Sequence, residues 1–351
     1  AEAFFSMGNA FLDLDKLTKS IWAYRKTISL KPDFAESYHN MGNALQNQNK
    51  IQSAIVAYKK AVSIEPNFAE AYKSMGNAFY NLVQLDEAIV SYNKVLSLEP
   101  NSSDAYNNIG LTFLEKGMFE EAERAFKQAV SLDNNNAKVY YNLSLLHNLQ
   151  GNLKLGFELY EWRKRLEGEN IQDAKKDLAM RRSTSVSGKN ILVYEEQGLG
   201  DTIQFCRYLP LLEEEGANVS FKVKKALHKL LSSLEGTVSL TNDELEKSPI
   251  DFEISLMSLP YFLGTELLTI PAQDSYLYPD KSRIEYWKEK LSKNSFKIGI
   301  CWQGNKGKVD IGRSFPLVLF ENIAKLSNVE LISLNKGEGE DQLADIEFPV
   351  T

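Results

Sequence analysis

Three short stretches of the chain combine glycine with charged or amide side chains in patterns able to hold an anionic ligand. The first is Glu195-Glu196-Gln197-Gly198-Leu199-Gly200-Asp201-Thr202. Gly198 and Gly200 permit a sharp turn and close backbone approach to a ligand. The helix expected to follow would point free N–H groups at the loop, which suits an anion. Asp201 would stand at its mouth as a candidate general base. A structural reading fits the same residues, because Asp201 followed by Gln204 has the spacing of a capping box. The second stretch is Trp302-Gln303-Gly304-Asn305-Lys306-Gly307-Lys308, continuing to Asp310, Arg313 and Ser314. There Gly304 and Asn305 could offer backbone N–H groups, and Arg313 could clamp a phosphate in bidentate fashion. A solvated surface loop is the plain alternative. The third, Asn335-Lys336-Gly337-Glu338-Gly339-Glu340, again follows a strand-like run. Two cationic loops at strand ends of one unit favour a diphosphate site over either loop alone.

Such loops need a parallel sheet behind them, and the sequence from Asn190 onward alternates strand and helix patterns. Asn190 to Tyr194 is a short apolar run typical of a buried parallel strand, and Asp201 to Glu215 is helix-like. Asn218 to Val223, Val238 to Leu240 and Asp251 to Ser255 are further strands, with a helix over Lys224 to Leu234. A second unit starts at Lys281 with a helix holding Tyr286, Trp287 and Leu291. It continues with a strand from Phe296 to Trp302, a helix from Phe315 to Leu326 and a strand from Val329 to Leu334. The alternation predicts doubly wound sheets whose ligand sites lie at the carboxyl ends of the strands.

The first half has a different grammar, with the same residue types every 34 positions. Tyr38, Met41-Gly42, Ala54, Tyr58, Ala61 and Pro66 recur as Tyr72, Met75-Gly76, Ala88, Tyr92, Val95 and Pro100. Upstream stand Phe4, Met7-Gly8, Ser20, Tyr24, Thr27 and Pro32; downstream stand Tyr106, Ile109-Gly110, Ala122, Phe126, Ala129 and Asn134. This is the tetratricopeptide pattern of paired helices stacked into a superhelix. A fifth repeat decays, with Ser144 in the glycine slot and Gly156 in the alanine slot, and ends on Tyr160-Glu161-Trp162-Arg163. Asparagine also recurs, as Asn9, Asn43 and Asn77 after the glycine and as Asn40, Asn108 and Asn142 two residues before that slot. An amide ladder of this kind can bind an extended peptide backbone, since each amide donates and accepts. Surface solvation, or bonding between repeats, is the alternative.

Composition narrows the partners. The chain of 351 residues, 43% of them hydrophobic, has room for two or three domains. Its net charge of −7, with the signs interspersed, argues against nucleic acid. Cys206 and Cys301 lack metal-ligand spacing and point to a reducing, cytoplasmic setting; scattered His39, His147 and His228 argue against a zinc site. No run of 18 apolar residues exists, so no transmembrane helix is expected. The opening on Ala1, in the first slot of a repeat, is expected for a processed or excised fragment.

Four blocks together resemble bacterial tetratricopeptide proteins that carry a family 9, heptosyltransferase-like glycosyltransferase module. They are Leu192 to Pro210, Leu256 to Thr265 with Ile270-Pro271, Gly299 to Asn305 with Arg313 to Leu317, and Ser333 to Gly337. Tyr160 to Arg163 fits as well. The resemblance implies an α-solenoid over 1–165, a linker or docking segment over 166–188, and two Rossmann-like lobes of a GT-B fold over 189–280 and 281–351. It implies inverting, metal-independent transfer from a nucleotide sugar, bound as substrate with no cofactor, to a glycan or protein acceptor. Asp201 would be the base, with Gln197, Gly198 and Gly200 in the acceptor loop. Arg313 would stabilise the departing diphosphate, assisted by Gly304, Asn305 and Ser314, with Lys336 and Glu340 on the nucleotide side. Pro210 should kink the first helix near Cys206. The second lobe stops at Thr351 with about 70 of the roughly 150 residues it should need. This fragment is therefore expected to be inactive, with transfer belonging to a longer parent. The competing expectation is a non-catalytic adaptor, with a peptide in the repeat groove and a vestigial α/β module. A third is a protein-modifying transferase resembling the O-linked sugar transferases.

Overall fold

The computed structural model describes residues 1–166, 185–234, 236, 238–241, 249–273, 275–291, 294–304 and 314–351. Ten helices form five pairs: α1 (Glu2–Asp13) with α2 (Leu17–Leu30), α3 (Ala35–Asn47) with α4 (Ile51–Ile64), and α5 (Ala69–Asn81) with α6 (Leu85–Leu98). They continue as α7 (Ser103–Glu115) with α8 (Phe119–Leu132), and α9 (Ala137–Leu149) with α10 (Leu153–Tyr160). Within each of the first four pairs an aromatic ring of the second helix lies flat on the glycine of the first. A Cβ added to Gly8, Gly76 or Gly110 would stand 2.5–2.6 Å from the ring of Tyr24, Tyr92 or Phe126, and Gly42 meets Tyr58 in the same way. Those four rings are at most 2% exposed. The second helices stop two residues short of Pro32, Pro66 and Pro100, because the residue before a proline is driven out of the helical region.

Each turn between paired helices uses one left-handed residue: Asp15 (φ 54°), Asn49 (61°), Val83 (59°), Gly117 (72°) and Gly151 (77°). Val83 is the strained member, since a β-branched side chain crowds the backbone there. Successive first helices, α1 to α3, α3 to α5, α5 to α7 and α7 to α9, approach one another more closely than successive second helices do. The solenoid therefore curves with its first helices on the inner face.

After the short helix α11 (Arg163–Leu166), the chain forms a four-stranded parallel sheet. Its strands are β1 (Asn190–Tyr194), β2 (Asn218–Lys222), β3 (Ser239–Thr241) and β4 (Phe252–Ser255), in the order β3-β2-β1-β4. Ile191, Leu192 and Val193 of β1 are at most 4% exposed, the continuous apolar run that a strand covered on both faces requires. β1 carries α12 (Leu199–Phe205) and α13 (Leu209–Glu214) behind it, separated by a 3₁₀ turn at Cys206–Tyr208. One kinked helix was expected here. Instead Pro210 sits in the first turn of α13, where its missing N–H costs no helical hydrogen bond. The solenoid and this sheet belong to one compact unit, residues 1–224 and 236–274.

A second compact unit comprises residues 225–235 and 275–351. It holds α14 (Lys225–Leu231), α15 (Lys281–Lys290) and a two-stranded parallel sheet, β5 (Phe296–Ile300) with β6 (Val329–Ser333). Ile300, Trp302, Leu317 and Leu331 form its core. The helix expected from Phe315 to Leu326 is shorter: a 3₁₀ turn at Leu317–Phe320 leads into a single turn, α16 (Glu321–Ala324). Extended Pro316 and the Leu317 N–H, which donates 2.8 Å to Gln342 Oε1, divert the first residues from α geometry. The chain is thus a helical solenoid in its N-terminal half, followed by small parallel sheets.

Because the ring-on-glycine contact has no slack, Gly76→Val should destabilise the repeats by roughly 2–3 kcal/mol. Urea unfolding followed by far-UV circular dichroism would read this as a lowered midpoint, and an unchanged midpoint would refute the contact's role.

Candidate functional site

The inner stripe of each first helix holds positions two, five or six, nine, and twelve or thirteen of the repeat, one helical face by spacing. Tyr24 Oη donates to Asn9 Oδ1 at 2.7 Å, Tyr58 Oη to Asn43 Oδ1 at 2.8 Å and Tyr92 Oη to Asn77 Oδ1 at 2.7 Å. The same ring that rests on glycine therefore orients the next residue. The following repeat adds a second bond, from Asn40 Nδ2 to Asn9 Oδ1 at 3.0 Å and from Asn108 Nδ2 to Asn77 Oδ1 at 3.4 Å. Between the second and third repeats His39 Nε2 meets Ser74 Oγ at 3.0 Å instead. Asn142 Nδ2 donates to Asn107 Oδ1 at 2.8 Å. All six ladder amides thus lie on this inner stripe, and five of them are in bonds that cross from one repeat to the next or pair with such a residue. The oxygens of Asn9, Asn43 and Asn77 are each held by a tyrosine hydroxyl. The Nδ2 donors of Asn9, Asn43 and Asn77 find no partner among the described residues.

The carboxyl end of β1 is tied to the end of the solenoid. Arg163, 3% exposed, uses every N–H it has. Nε and Nη2 hold Glu196 Oε1 and Oε2 at 2.6 and 2.7 Å, and Nη1 reaches Glu161 Oε1 at 2.8 Å and Tyr160 O at 3.2 Å. Nη2 also donates to Ser255 Oγ and Ser258 Oγ, each at 3.0 Å. Ser255 in turn donates to Glu196, and Ser258 to Glu161 Oε2 at 3.0 Å. Lys164 Nζ lies 3.2 Å from Glu161 Oε2, so two cations meet two carboxylates. Burial alone would raise the Glu196 carboxyl and lower Arg163. The bonds and charge between them prevail, holding Glu196 below the usual carboxylate range and Arg163 above its ordinary value.

This network fills the crevice between the carboxyl ends of β1 and β4, the place where the strand order reverses. The loop beyond it is exposed. Gln197 adopts φ 66°, and its Nε2 donates to Tyr160 Oη at 2.6 Å. Gly198 and Gly200 are solvent-facing, and Asp201 is partly buried. The Asp201 carboxylate accepts from the Gly198 N–H at 3.1 Å, so it caps α12 from the third helical position rather than from the N-cap that its spacing to Gln204 implied. Sequence reading named Tyr160 to Arg163 and Glu196 without pairing them, and missed Ser255 and Ser258. Ser258 falls within the second matching block and Ser255 ends the expected strand from Asp251, and neither position signals a bond to Arg163.

In the second unit, Gly304 N donates to Ser314 Oγ at 3.0 Å, and Glu340 Oε1 accepts from Gly337 N at 2.9 Å. Lys336 is exposed. Asn335 joins the two strand-end loops, its Oδ1 accepting from Trp302 N at 3.0 Å and Gln303 N at 3.2 Å. Asn305 and Arg313 lie outside the described residues. Among the described residues no group of three or more His, Cys, Asp or Glu is placed to hold a metal ion, and no helix is long and apolar enough to cross a membrane.

Residues 35–68 and 103–136 match the family described as tetratricopeptide repeat, and residues 8–49 and 84–117 match a second one described as TPR repeat. The repeats are therefore tetratricopeptide repeats. Protein FlbA of Caulobacter vibrioides is 26% identical over 178 residues, 45% of this chain and 30% of that protein. The chain thus spans about a third of the length of that relative. Among solved structures, MamA from Desulfovibrio magneticus RS-1 (residues 41 to the end) is 20% identical with a TM-score of 0.44, covering 47% of this chain and 94% of that one. YrrB, titled a TPR protein with an unusual peptide-binding site, is 19% identical with a TM-score of 0.40, covering 49% and 90%.

Removing the Arg163 side chain leaves two buried carboxylates short of a cation. Arg163→Ala should cost about 3–5 kcal/mol in chemical denaturation. The sign of the pH effect follows from the depressed Glu196. Its contribution is complete above the unfolded carboxyl value of about 4.3 and fades as pH falls through the lower folded value. Glu196→Gln should flatten that part of the stability profile; a Gln variant with the wild-type acid limb would show that Glu196 is not the titrating group.

Proposed function

We propose that the protein is a binding scaffold whose inner groove takes an extended segment of a partner protein, with the four-stranded sheet fixed to the end of the solenoid. One observation carries this reading. The ladder amides of Asn9, Asn43 and Asn77 are held by tyrosine through their oxygens, leaving their Nδ2 donors in register, one per repeat. A fixed row of donors suits backbone carbonyls, whose spacing is independent of side-chain identity. Tetratricopeptide repeats typically serve in protein interaction, which agrees with that use. Peptides selected from a random display library should bind the wild type about tenfold or more better than Asn43→Ala/Asn77→Ala, two lost hydrogen bonds' worth. Equal affinity, with unchanged circular dichroism, would remove the ladder from recognition.

A second reading has its own support: sugar transfer in a parent protein. The Gly198-to-Asp201 turn lies at the carboxyl end of β1, beside the strand-order reversal where sheets of this kind bind ligands. Asp201 would then act as base toward an acceptor presented at Gln197, Gly198 and Gly200. Gly304, Asn305, Arg313, Ser314, Lys336 and Glu340 would serve the nucleotide sugar. On that reading, Asp201→Asn in the parent abolishes transfer and leaves nucleotide affinity near normal; undiminished turnover would dismiss Asp201 as base.

A further inference from the structure

The groove is not uniform along its length, and its gradation defines the partner's chemistry. In repeats one to three, position nine is Asn9, Asn43 and Asn77; in repeats four and five it is Leu111 and Leu145. At position nine the polar floor therefore gives way to an apolar one, joined there by Leu114, Tyr141 and the exposed Leu149, while Asn108 and Asn142 keep an amide at position six. The edges of the groove are acidic from repeat one to repeat four. Position two is Glu2, Glu36, Glu70 and Asp104 in successive repeats, all exposed. Of these, Glu70 is paired with Lys73 at 2.7 Å, and the others have no cation partner among the described residues. Acids in the first turn of a helix are also explained by the helix dipole. Asp13 and Glu115 are not, because they sit in the last turns of α1 and α7, where the dipole disfavours negative charge. Both lie on the same inner stripe as the ladder, and Glu115 accepts from Tyr80 Oη at 3.3 Å across the repeat boundary. His39 adds no charge at neutral pH, since burial lowers its pKa.

We infer that the groove's occupant is an extended segment with basic residues over repeats one to four, where the rims are acidic, and an apolar end over repeats four and five, where position nine is leucine. This rests on the groove being the binding site, as proposed above. Negative rims around a donor-lined floor favour Lys or Arg flanking a bare backbone. Neighbouring first helices pack on the order of 10 Å apart. A segment in polyproline II geometry covers that distance in one turn of about three residues and keeps every third side chain on one side, so a basic residue at every third position would meet successive acids.

The test uses three fluorescein-labelled synthetic 15-residue peptides and the whole chain. The first has Lys at every third position and a Leu-Phe end; the second replaces Lys with Glu; the third replaces Leu-Phe with Ser-Ser. Fluorescence polarisation should rank the first tightest. Glu36→Lys/Asp104→Lys should weaken it by about fivefold or more at low salt, with the gap closing as salt rises. Leu145→Ser should weaken the first peptide and leave the third unchanged. Equal binding of Lys and Glu peptides, each weakened by Asn43→Ala/Asn77→Ala, would overturn the inference while the groove reading survives. Binding unaffected by that asparagine double variant would place the peptides elsewhere and defeat both. No saturable binding of the first peptide would also overturn the inference, leaving the display experiment to decide on the groove.

Discussion

The first half of this molecule depends on one contact, an aromatic ring pressed against a glycine. Gly8, Gly42, Gly76 and Gly110 have no room for a Cβ because Tyr24, Tyr58, Tyr92 and Phe126 occupy it. The contact sets how closely the two helices of a repeat approach. In the three tyrosine repeats it has a second consequence, since the hydroxyl of a ring held there reaches the asparagine after the glycine. Packing and the placement of the inner-stripe amides are therefore coupled through one side chain. Where the ring is Phe126 there is no hydroxyl, and position nine is Leu111 instead of an asparagine. The two positions change together within a single chain, as a shared hydrogen bond requires.

The fifth repeat breaks this rule in a way that ends the solenoid. Ser144 takes the glycine slot and Gly156 the alanine slot, so the small residue moves to the other helix, where a Cβ would collide with Asn148. Tyr160 keeps the ring position, but its partner position is Leu145. Its hydroxyl is left to serve another group and accepts from Gln197, holding that residue in the left-handed region. Three residues later Arg163 enters the crevice between β1 and β4. The repeat pattern is thus reused, with one substitution, to grip the sheet.

Much of this was legible in the sequence because it is local. The 34-residue period, the glycine and alanine slots, the decay of the last repeat and the strands β1, β2, β4, β5 and β6 all follow from spacing and apolar runs. The amide ladder was visible as a repetition, but which atoms it leaves unused depends on tyrosines 15 residues away. The Arg163 network was invisible, because Glu196, Ser255 and Ser258 lie 33, 92 and 95 residues from it. The over-long helix expected from Phe315 to Leu326 failed for a similar reason: a distant glutamine, Gln342, captures the Leu317 N–H. Periodicity reports faces of elements and is silent about side chains that meet through topology.

The Arg163 network also bears on what the α/β region can do. In a sheet with this strand order, the crevice at the reversal is where a ligand would be expected. Here it contains a guanidinium whose five donors are all engaged, between two carboxylates, two hydroxyls and the Tyr160 carbonyl. Such a group has no free valence for a substrate. Any chemistry at this edge must therefore take place above the plug, on the exposed turn from Gln197 to Asp201, with Arg163 acting as the fixed floor beneath it. A buried pair of this kind adds little stability over a well-packed apolar plug. What it supplies is direction: a bidentate bond fixes both the position and the tilt of the β1 loop relative to the last repeat. That geometry serves either reading. On the transferase reading it would align the Gln197-to-Asp201 turn with the end of the groove; on the scaffold reading it would anchor a passive sheet so that the solenoid ends on a rigid face.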